Sequence, residues 1–595
     1  MKLKENPIIY LTSKLWHYSE NRKNIVYYAI MFLGAQAADL SQPLIMAAIL
    51  NELQRNGISH ANIKYLCFLL SLFIVRWFVA WIFHGPARMM ENKNAFLVRA
   101  NYKKYLLGGI MFLPLEWHTD HHSGDTIDKV EKGSRGLYNY ASESFRVINL
   151  MVYLAGAIIT LAFFDIGASV ITFVMMILTL TLIMKFDKIL VAQYRQLNRF
   201  ENGISEKIVD VVTNITTVVI LRIEKLLVKS ISGKMMEPLD LFLRNNRLNE
   251  IKWCLVSLNT KIMLVLVLGY YFYARLYWGL PWLAGTFIAL YTYTDNIAET
   301  FFNFAGIYGN ILQQRASVSN SEELASGFNG IVNGNNDNGG KHWGKIEINS
   351  LNFSYRTDEN ADLHLDDISL SIKRGEKIAL IGATGSGKTT LLKVIRELYK
   401  PQTASVFADG KKLTGGFGAI SSEITLIPQE PEIFATTILE NITLGVDHEM
   451  QEVRKFTDMA RFTEVADNLP REFNSSIKEK GVNLSGGEKQ RLALARGLLA
   501  CADKSIVLLD EPTSSIDVAT ELSIYQNIFQ DFCDKSIVAS VHRLHLLPMF
   551  DNIYFFSEGK ILASGSFGEL LESSAEFKEL WNKYQNMVQD LQDRA

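Results

Sequence analysis

Cysteine is scarce in this sequence. Four residues, Cys67, Cys254, Cys501 and Cys533, are scattered over 595 positions with no CxxC pair and no disulfide-like spacing. That excludes a disulfide framework and makes buried free thiols the expectation. Net charge is nearly absent too. A balance of −2 removes nucleic acid as a partner held by bulk charge, although local patches stay open. The first twenty residues lack the long apolar run and small-residue cleavage site of a signal peptide. Instead, Ile8, Ile9, Leu11, Leu15 and Trp16 fall near helical spacing beside Lys2, Lys4 and Lys14. An amphipathic helix on a membrane surface is expected there.

What is present divides in two. The chain is too long for one core, and its mean hydropathy is slightly positive although 21% of residues are charged. An apolar region and a soluble one are averaged together. A membrane-crossing helix needs about 20 mostly apolar residues. Candidates lie at 24–50, 63–85, 147–164, 167–184, 254–274 and 280–307, the last long and polar. The connections 51–62, 165–166 and 275–279 are short and poor in cations, whereas 86–146 and 185–253 are long and rich in Lys and Arg. The positive-inside rule puts the long connections, both termini and everything after residue 320 in the cytoplasm. Helical periodicity in the long connections predicts helices running below the membrane, with reversals near 117–126 and 211–221. Residues 321–343 are rich in Gly, Asn and Ser and read as a linker. An α/β domain over 344–595 follows, starting from the alternating strand "KIEINSLNFSY" and the apolar strand "KIALIG".

The segment 381–390, "IGATGSGKTT", lies between that strand and the helical run "TTLLKVIREL". Gly382, Ala383, Thr384, Gly385, Ser386, Gly387, Lys388 and Thr389 match G-x-x-x-x-G-K-[ST]. The glycines let backbone N–H groups turn toward phosphates, Lys388 reaches the β- and γ-phosphates, and the Thr389 hydroxyl suits Mg²⁺. Thr390 continues the helix whose positive end faces the anion. "SIVLLDEP" is a buried strand ending in two acids. Asp510 is placed for Mg²⁺, and Glu511 for polarising an attacking water.

"LSGGE" at 484–488, followed by "KQRLALARGLL", resembles the signature of ATP-binding-cassette (ABC) transporters. Ser485, Gly486, Gly487 and Glu488 start a helix, which offers a second cluster of N–H groups to a phosphate. The resemblance implies that this cluster closes on ATP held by the opposite copy, so a second half-transporter is needed. Two intact half-sites in one chain favour a homodimer, with a different half as the alternative. By the same resemblance Tyr355 in "FSYR" stacks on adenine. Gln429 in "LIPQEP" senses Mg²⁺ and the membrane domain, "SSID" at 514–517 crosses to the partner cassette, and His542 in "ASVHRL" contacts the γ-phosphate. Residues 121–130 and 211–225 resemble the two coupling segments. Before the signature, "SSIKEKG" keeps Glu479, while Ser476 and Lys478 depart from the family's usual acid and glycine.

The resemblance implies an exporter-type half-transporter. It would have six transmembrane helices with long cytoplasmic extensions over 1–320, a linker over 321–343, and a C-terminal α/β P-loop NTPase cassette over 344–595. Its place would be a bacterial inner membrane, with lipid as partner and ATP and Mg²⁺ as cofactors. Export is expected, with an exporter-shaped importer or an ATP-gated channel as alternatives. The transported substrate is not legible. Asp39, Arg76, Lys261, Asp295 and Glu299 lie inside candidate spans, where ionisable groups are expensive. They either line a polar cavity, as proposed for Lys261, Asp295 and Glu299, or form ion pairs between helices. "WHTDHHSGD" at 117–125 reads as a polar cytoplasmic surface, not a metal site. "YYFYARLYWGLPW" reads as an interfacial aromatic belt.

Overall fold

The computed structural model describes residues 6–121, 123–330, 343–355, 364–430, 432–477 and 484–594. Lys478 and Glu479, and residues 331–342 of the expected linker, lie outside them. The chain divides into two compact units, Met1–Leu113 with His118–Val332, and Pro114–Trp117 with Asn333–Ala595.

The first unit is helical. Its elements are α1 (Pro7–Tyr18), α2 (Arg22–Leu40), α3 (Gln42–Asn56), α4 (Ile63–Met111), α5 (Leu115–Asp120, of which Leu115–Trp117 fall in the second unit), α6 (Ser123–Ser142), α7 (Ser144–Phe164), α8 (Ile166–Thr213), α9 (Ile215–Ile220), α10 (Glu224–Met236), α11 (Leu239–Tyr277) and α12 (Ala284–Ala325). Among the described residues, five stretches are long and apolar enough to cross a membrane: Arg22–Asn56, Ile63–Met111, Ser123–Phe164, Ile166–Thr213 and Glu224–Tyr277. The sixth expected span falls in α12, whose Thr292, Thr294, Asp295, Asn296 and Glu299 dilute its apolar face.

Local chemistry sets the helix ends. The first span is two helices. Pro43 has no N–H for the preceding turn, and the Ser41 hydroxyl donates to the Ala38 carbonyl at 2.6 Å. Asp165 caps α8 by accepting from the Gly167 and Ala168 N–H groups at 2.9 and 3.2 Å, which makes the 165–166 connection short.

Three expectations need correction. The apolar face of α1 turns to protein: Leu11 and Leu15 are buried as α1 packs on α4, α6 and α12, leaving Ile9 and Trp16 exposed. Tyr10 donates to Glu322 at 2.6 Å and Lys14 pairs with the same carboxylate. The helix α12 continues past residue 320 into the expected linker, because Ser321 and Leu324 are buried and Gly133 packs against Ser321. Cys501 is buried, but Cys67, Cys254 and Cys533 are exposed. Cys67 and Cys254 sit on the membrane-length helices α4 and α11.

The ionisable residues inside spans are paired in part. Arg76 binds Asp39 at 2.9 Å and Lys261 binds Asp295 at 3.2 Å, while Glu299 is exposed.

Among its described residues the second unit holds ten strands. They are β1 (Lys345–Phe353), β2 (Leu365–Lys373), β3 (Lys377–Gly382), β4 (Thr403–Ala408), β5 (Lys411–Lys412), β6 (Ile424–Ile427), β7 (Ile506–Asp510), β8 (Ser536–Ser540), β9 (Asn552–Ser557) and β10 (Lys560–Gly565). One antiparallel sheet runs β2-β1-β4-β5, and a six-stranded sheet runs β10-β9-β3-β8-β7-β6, parallel except at β10. The larger sheet is covered on both faces, which explains why its strands are unbroken apolar runs. Ile378, Leu380, Ile506, Leu508 and Val538 pack toward the smaller sheet and the helix Lys388–Ile395. The alternate residues Ala379, Ile381, Val507, Leu509, Ile537 and Ala539 pack on the other face, among helices that include Gly486–Ala500 and Val518–Asp531.

Candidate nucleotide site

The site lies at the carboxyl ends of the parallel strands, where open α/β sheets bind ligands. The β3 strand runs straight into the phosphate loop. Gly387 ends it with φ +105°, and a Cβ there would stand 2.8 Å from the Leu365 side chain. At Gly382 a Cβ would meet the Phe556 carbonyl oxygen at 2.3 Å. Both positions therefore demand glycine.

Lys388 is buried, and its Nζ donates to the Gly382 and Ala383 carbonyls at 2.9 and 3.1 Å. Burial pulls this ammonium below the usual lysine range, while Glu511 and Asp510 oppose the fall. Ser386 Oγ is buried with no hydrogen-bond partner among the described residues. An orphaned hydroxyl inside a glycine loop is what an arriving phosphate oxygen would satisfy.

Thr389 Oγ1 donates to Asp510 Oδ1 at 2.9 Å, bringing together the two groups expected at magnesium. Burial pushes the Asp510 carboxyl up, the Thr389 hydrogen bond lowers it, and neighbouring Glu511 adds to the rise. Hydroxyl and carboxylate oxygens are the hard donors that magnesium takes. Tyr355 is 44% exposed, its ring set edge-on against Phe353, His364 and Tyr399, and its hydroxyl donates to Thr390 Oγ1 at 3.3 Å. Its ring is thus held next to the helix that starts at the phosphate loop.

Three loops meet at Glu511. The His542 Nε2 atom, past the end of β8, lies 2.7 Å from Glu511 Oε1, and Gln429 Nε2, past the end of β6, donates to Oε2 at 3.2 Å. The Glu511 backbone has φ +46°, a left-handed conformation uncommon outside glycine. Strain of this kind clusters at functional sites.

Ser485 and Glu488 form a reciprocal cap on the helix Gly486–Ala500. Ser485 Oγ accepts from the Glu488 N–H at 3.3 Å, and Glu488 Oε2 accepts from the Ser485 N–H at 2.7 Å. The second bond holds the Glu488 carboxyl below its usual range. The Glu488 carboxylate is therefore engaged in the cap, leaving the Gly486 and Gly487 N–H groups as first-turn donors. Gly487 also packs against the following loop, where a Cβ would be 3.0 Å from the Ser515 carbonyl oxygen.

Several residues of this region have structural roles that the motifs do not record. Gln490 donates to Ser514 Oγ at 2.7 Å and accepts from the Ser515 N–H at 2.8 Å, strapping the loop 514–517 to the signature helix. Asp517 caps the helix Val518–Asp531 by accepting from the Thr520 N–H at 2.9 Å. Arg543 donates to the Ile516 carbonyl of the same loop and to Glu521, which accepts from the Thr513 hydroxyl just before it. The "KQR" run and the residue after His542 were visible, but their roles depend on contacts across the fold.

Residues 365–514 match the family model described as ABC transporter, and residues 25–293 match that of the ABC transporter transmembrane region. The chain is 38% identical over 230 residues to ABC transporter B family member 21 of Arabidopsis thaliana, covering 38% of this chain and 18% of that protein. It is 34% identical over 249 residues to the mitochondrial iron-sulfur clusters transporter ATM1 of Debaryomyces hansenii, covering 41% of this chain and 35% of that protein. The matched part is thus well under two thirds of either relative. The structure of a bacterial Atm1-family ABC exporter with ATP bound shares the fold. Its TM-score is 0.81 at 19% identity, with 95% of this chain and 98% of that chain covered. Both matched regions answer to the same family, and the chain belongs to the ABC transporters, with a transmembrane region that precedes a cassette.

Proposed function

We propose that this chain is an ATP-driven membrane transporter that works as a dimer, most simply of identical copies. The meeting of Gln429, Glu511 and His542 beside a phosphate loop carries this reading, because it is the equipment of hydrolysis and not of binding alone. The phosphate-loop N–H groups and Lys388 receive the β- and γ-phosphates, and Tyr355 lies under the adenine. Magnesium, held by Thr389 and Asp510 with Gln429 nearby, would neutralise charge on the β- and γ-phosphates. The Gly486 and Gly487 donors of one copy complete the site on the other.

Glu511 accepts the proton of the attacking water as that oxygen bonds to the γ-phosphorus and the bond to ADP breaks. In the structure both Glu511 oxygens are already engaged, one by His542 and one by Gln429. Each carboxylate oxygen keeps a further lone pair, so an attacking water can be received beside these partners. Closure of two cassettes on ATP would favour one orientation of the transmembrane helices, and hydrolysis would release it. We propose export, from a bacterial inner membrane with the cassette and both termini in the cytoplasm, and a polar path that includes Lys261, Asp295 and Glu299.

The test is a substrate-stimulated ATPase screen of the chain alone in lipid, followed by transport into and out of sealed vesicles. ATP-dependent movement of a solute that also raises hydrolysis supports the reading. ATP hydrolysis indifferent to every solute, with ATP-gated ion flux, would turn it toward a channel.

A further inference from the structure

An ion pair between a buried carboxylate and a half-buried guanidinium joins the loops of Glu511 and His542. Glu521 is 3% exposed, in the helix Val518–Asp531. Its Oε1 accepts from the Thr513 hydroxyl at 2.6 Å. Its Oε2 lies 3.0 Å from Arg543 Nη1 and 3.4 Å from His545 Nε2. Arg543 also donates to the Ile516 carbonyl at 2.7 Å and to the Ser514 carbonyl at 3.2 Å.

These contacts have a direction. Thr513 follows Glu511 by two residues, and Arg543 follows His542 directly. Glu521 therefore holds one loop by a hydroxyl and the other by a guanidinium, and Arg543 reaches back to the first loop through two carbonyls. Left-handed backbone at a glutamate, as at Glu511, persists only where the surroundings over-determine it. A buried ion pair is by itself weak evidence for stability, because desolvation offsets its Coulomb attraction. Its planar, forked geometry is better suited to fixing direction.

We propose that Glu521 and Arg543 are positioning residues for hydrolysis. They fix the loop of Glu511 against the loop of His542, set the 2.7 Å contact between those side chains, and so aim the Glu511 carboxylate. Neither touches nucleotide. The proposal rests on the reading of Glu511 as the group that polarises water.

The test compares Glu521→Gln and Arg543→Lys with the parent, each as the full chain in lipid. Each substitution nearly keeps side-chain volume: Glu521→Gln removes the carboxylate charge, and Arg543→Lys keeps the charge but removes the forked guanidinium. The expected fall in kcat for ATP is about tenfold to a hundredfold, the scale of misplacing a reacting group by about 1 Å. KM for ATP and the thermal midpoint stay close to the parent's, and the double variant falls no further than the worse single one, as coupled residues do. Parent-like kcat in either folded variant overturns the proposal. So does a loss of kcat matched by loss of ATP binding or melting temperature, which is the signature of a merely structural pair.

Hydrogen exchange over residues 511–517 and 541–546 tests the same claim without turnover. Faster exchange in both loops of the variants, with the phosphate loop unchanged, supports it, and unchanged exchange in both overturns it. A parent that hydrolyses no ATP would count against the transporter reading instead, and the exchange result would still decide the pair.

Discussion

The two units treat charge in opposite ways. In the helical unit, ionisable groups are matched between helices: Asp39 with Arg76, Asp187 with Lys252, Asp295 with Lys261. Glu91 is wholly buried, yet it accepts from the Ser144 hydroxyl at 2.6 Å and the Phe145 N–H at 2.7 Å, and it pairs with Arg88. In the second unit, Lys388, Asp510, Glu511, His542 and Gln429 converge at one edge of one sheet. There Lys388 leans on loop carbonyls and Ser386 Oγ has no partner among the described residues. Among the matched charges, Lys252, Asp187 and Glu91 are buried or nearly so, and their partners fix packing there. The converging ones keep capacity for a ligand.

This contrast can be broken by substitution. Lys252 and Asp187 are the most buried of the inter-helix pairs, at 5% and 15% side-chain exposure. Lys252→Ala should cost about 3–5 kcal/mol, because it leaves a buried carboxylate without its cation. Thermal unfolding in detergent reads it, and a parent-like midpoint would mean that Asp187 finds water or another donor. In the cassette, Gly387→Ala should act on binding before stability. Strained backbone and the 2.8 Å approach to Leu365 predict about 1–3 kcal/mol, or roughly tenfold to a hundredfold weaker ATP binding by titration.

The smallest effect has the opposite sign. Burial raises the Asp510 pKa in the folded chain, so the stability linked to this group is greatest below its unfolded pKa and is lost as pH rises through the folded one. At neutral pH the ionised group is a cost. Asp510→Asn should therefore raise the melting temperature of the nucleotide-free chain by a few degrees, while weakening magnesium-dependent nucleotide binding. The gain should shrink as pH is lowered. A lower melting temperature at neutral pH would contradict the assigned cause.

Legibility in the sequence follows the same division. The phosphate loop, the acid-ended strand and the signature helix are local patterns, because backbone geometry at a phosphate dictates residue type within a few positions. The long helices were legible from apolar length. The docking of α1 was not, since an apolar stripe fits a membrane surface or a neighbouring helix equally well. Nor was the break at Ser41 read, although "SQP" carries its cause. Glu91, Lys252 and Glu521 look like ordinary surface charges in sequence. Their burial is decided by residues such as Ser144, Asp187 and Arg543 on other elements, and no local pattern records it.

The central claim is that Glu511 turns this site from a nucleotide binder into an ATPase. It is tested most directly by phosphate release from Mg-ATP by the chain alone in lipid, beside Glu511→Gln. The account predicts steady release by the parent, a fall of about a hundredfold or more in the variant, and retention of ATP on the variant. Equal release by the two proteins would contradict it.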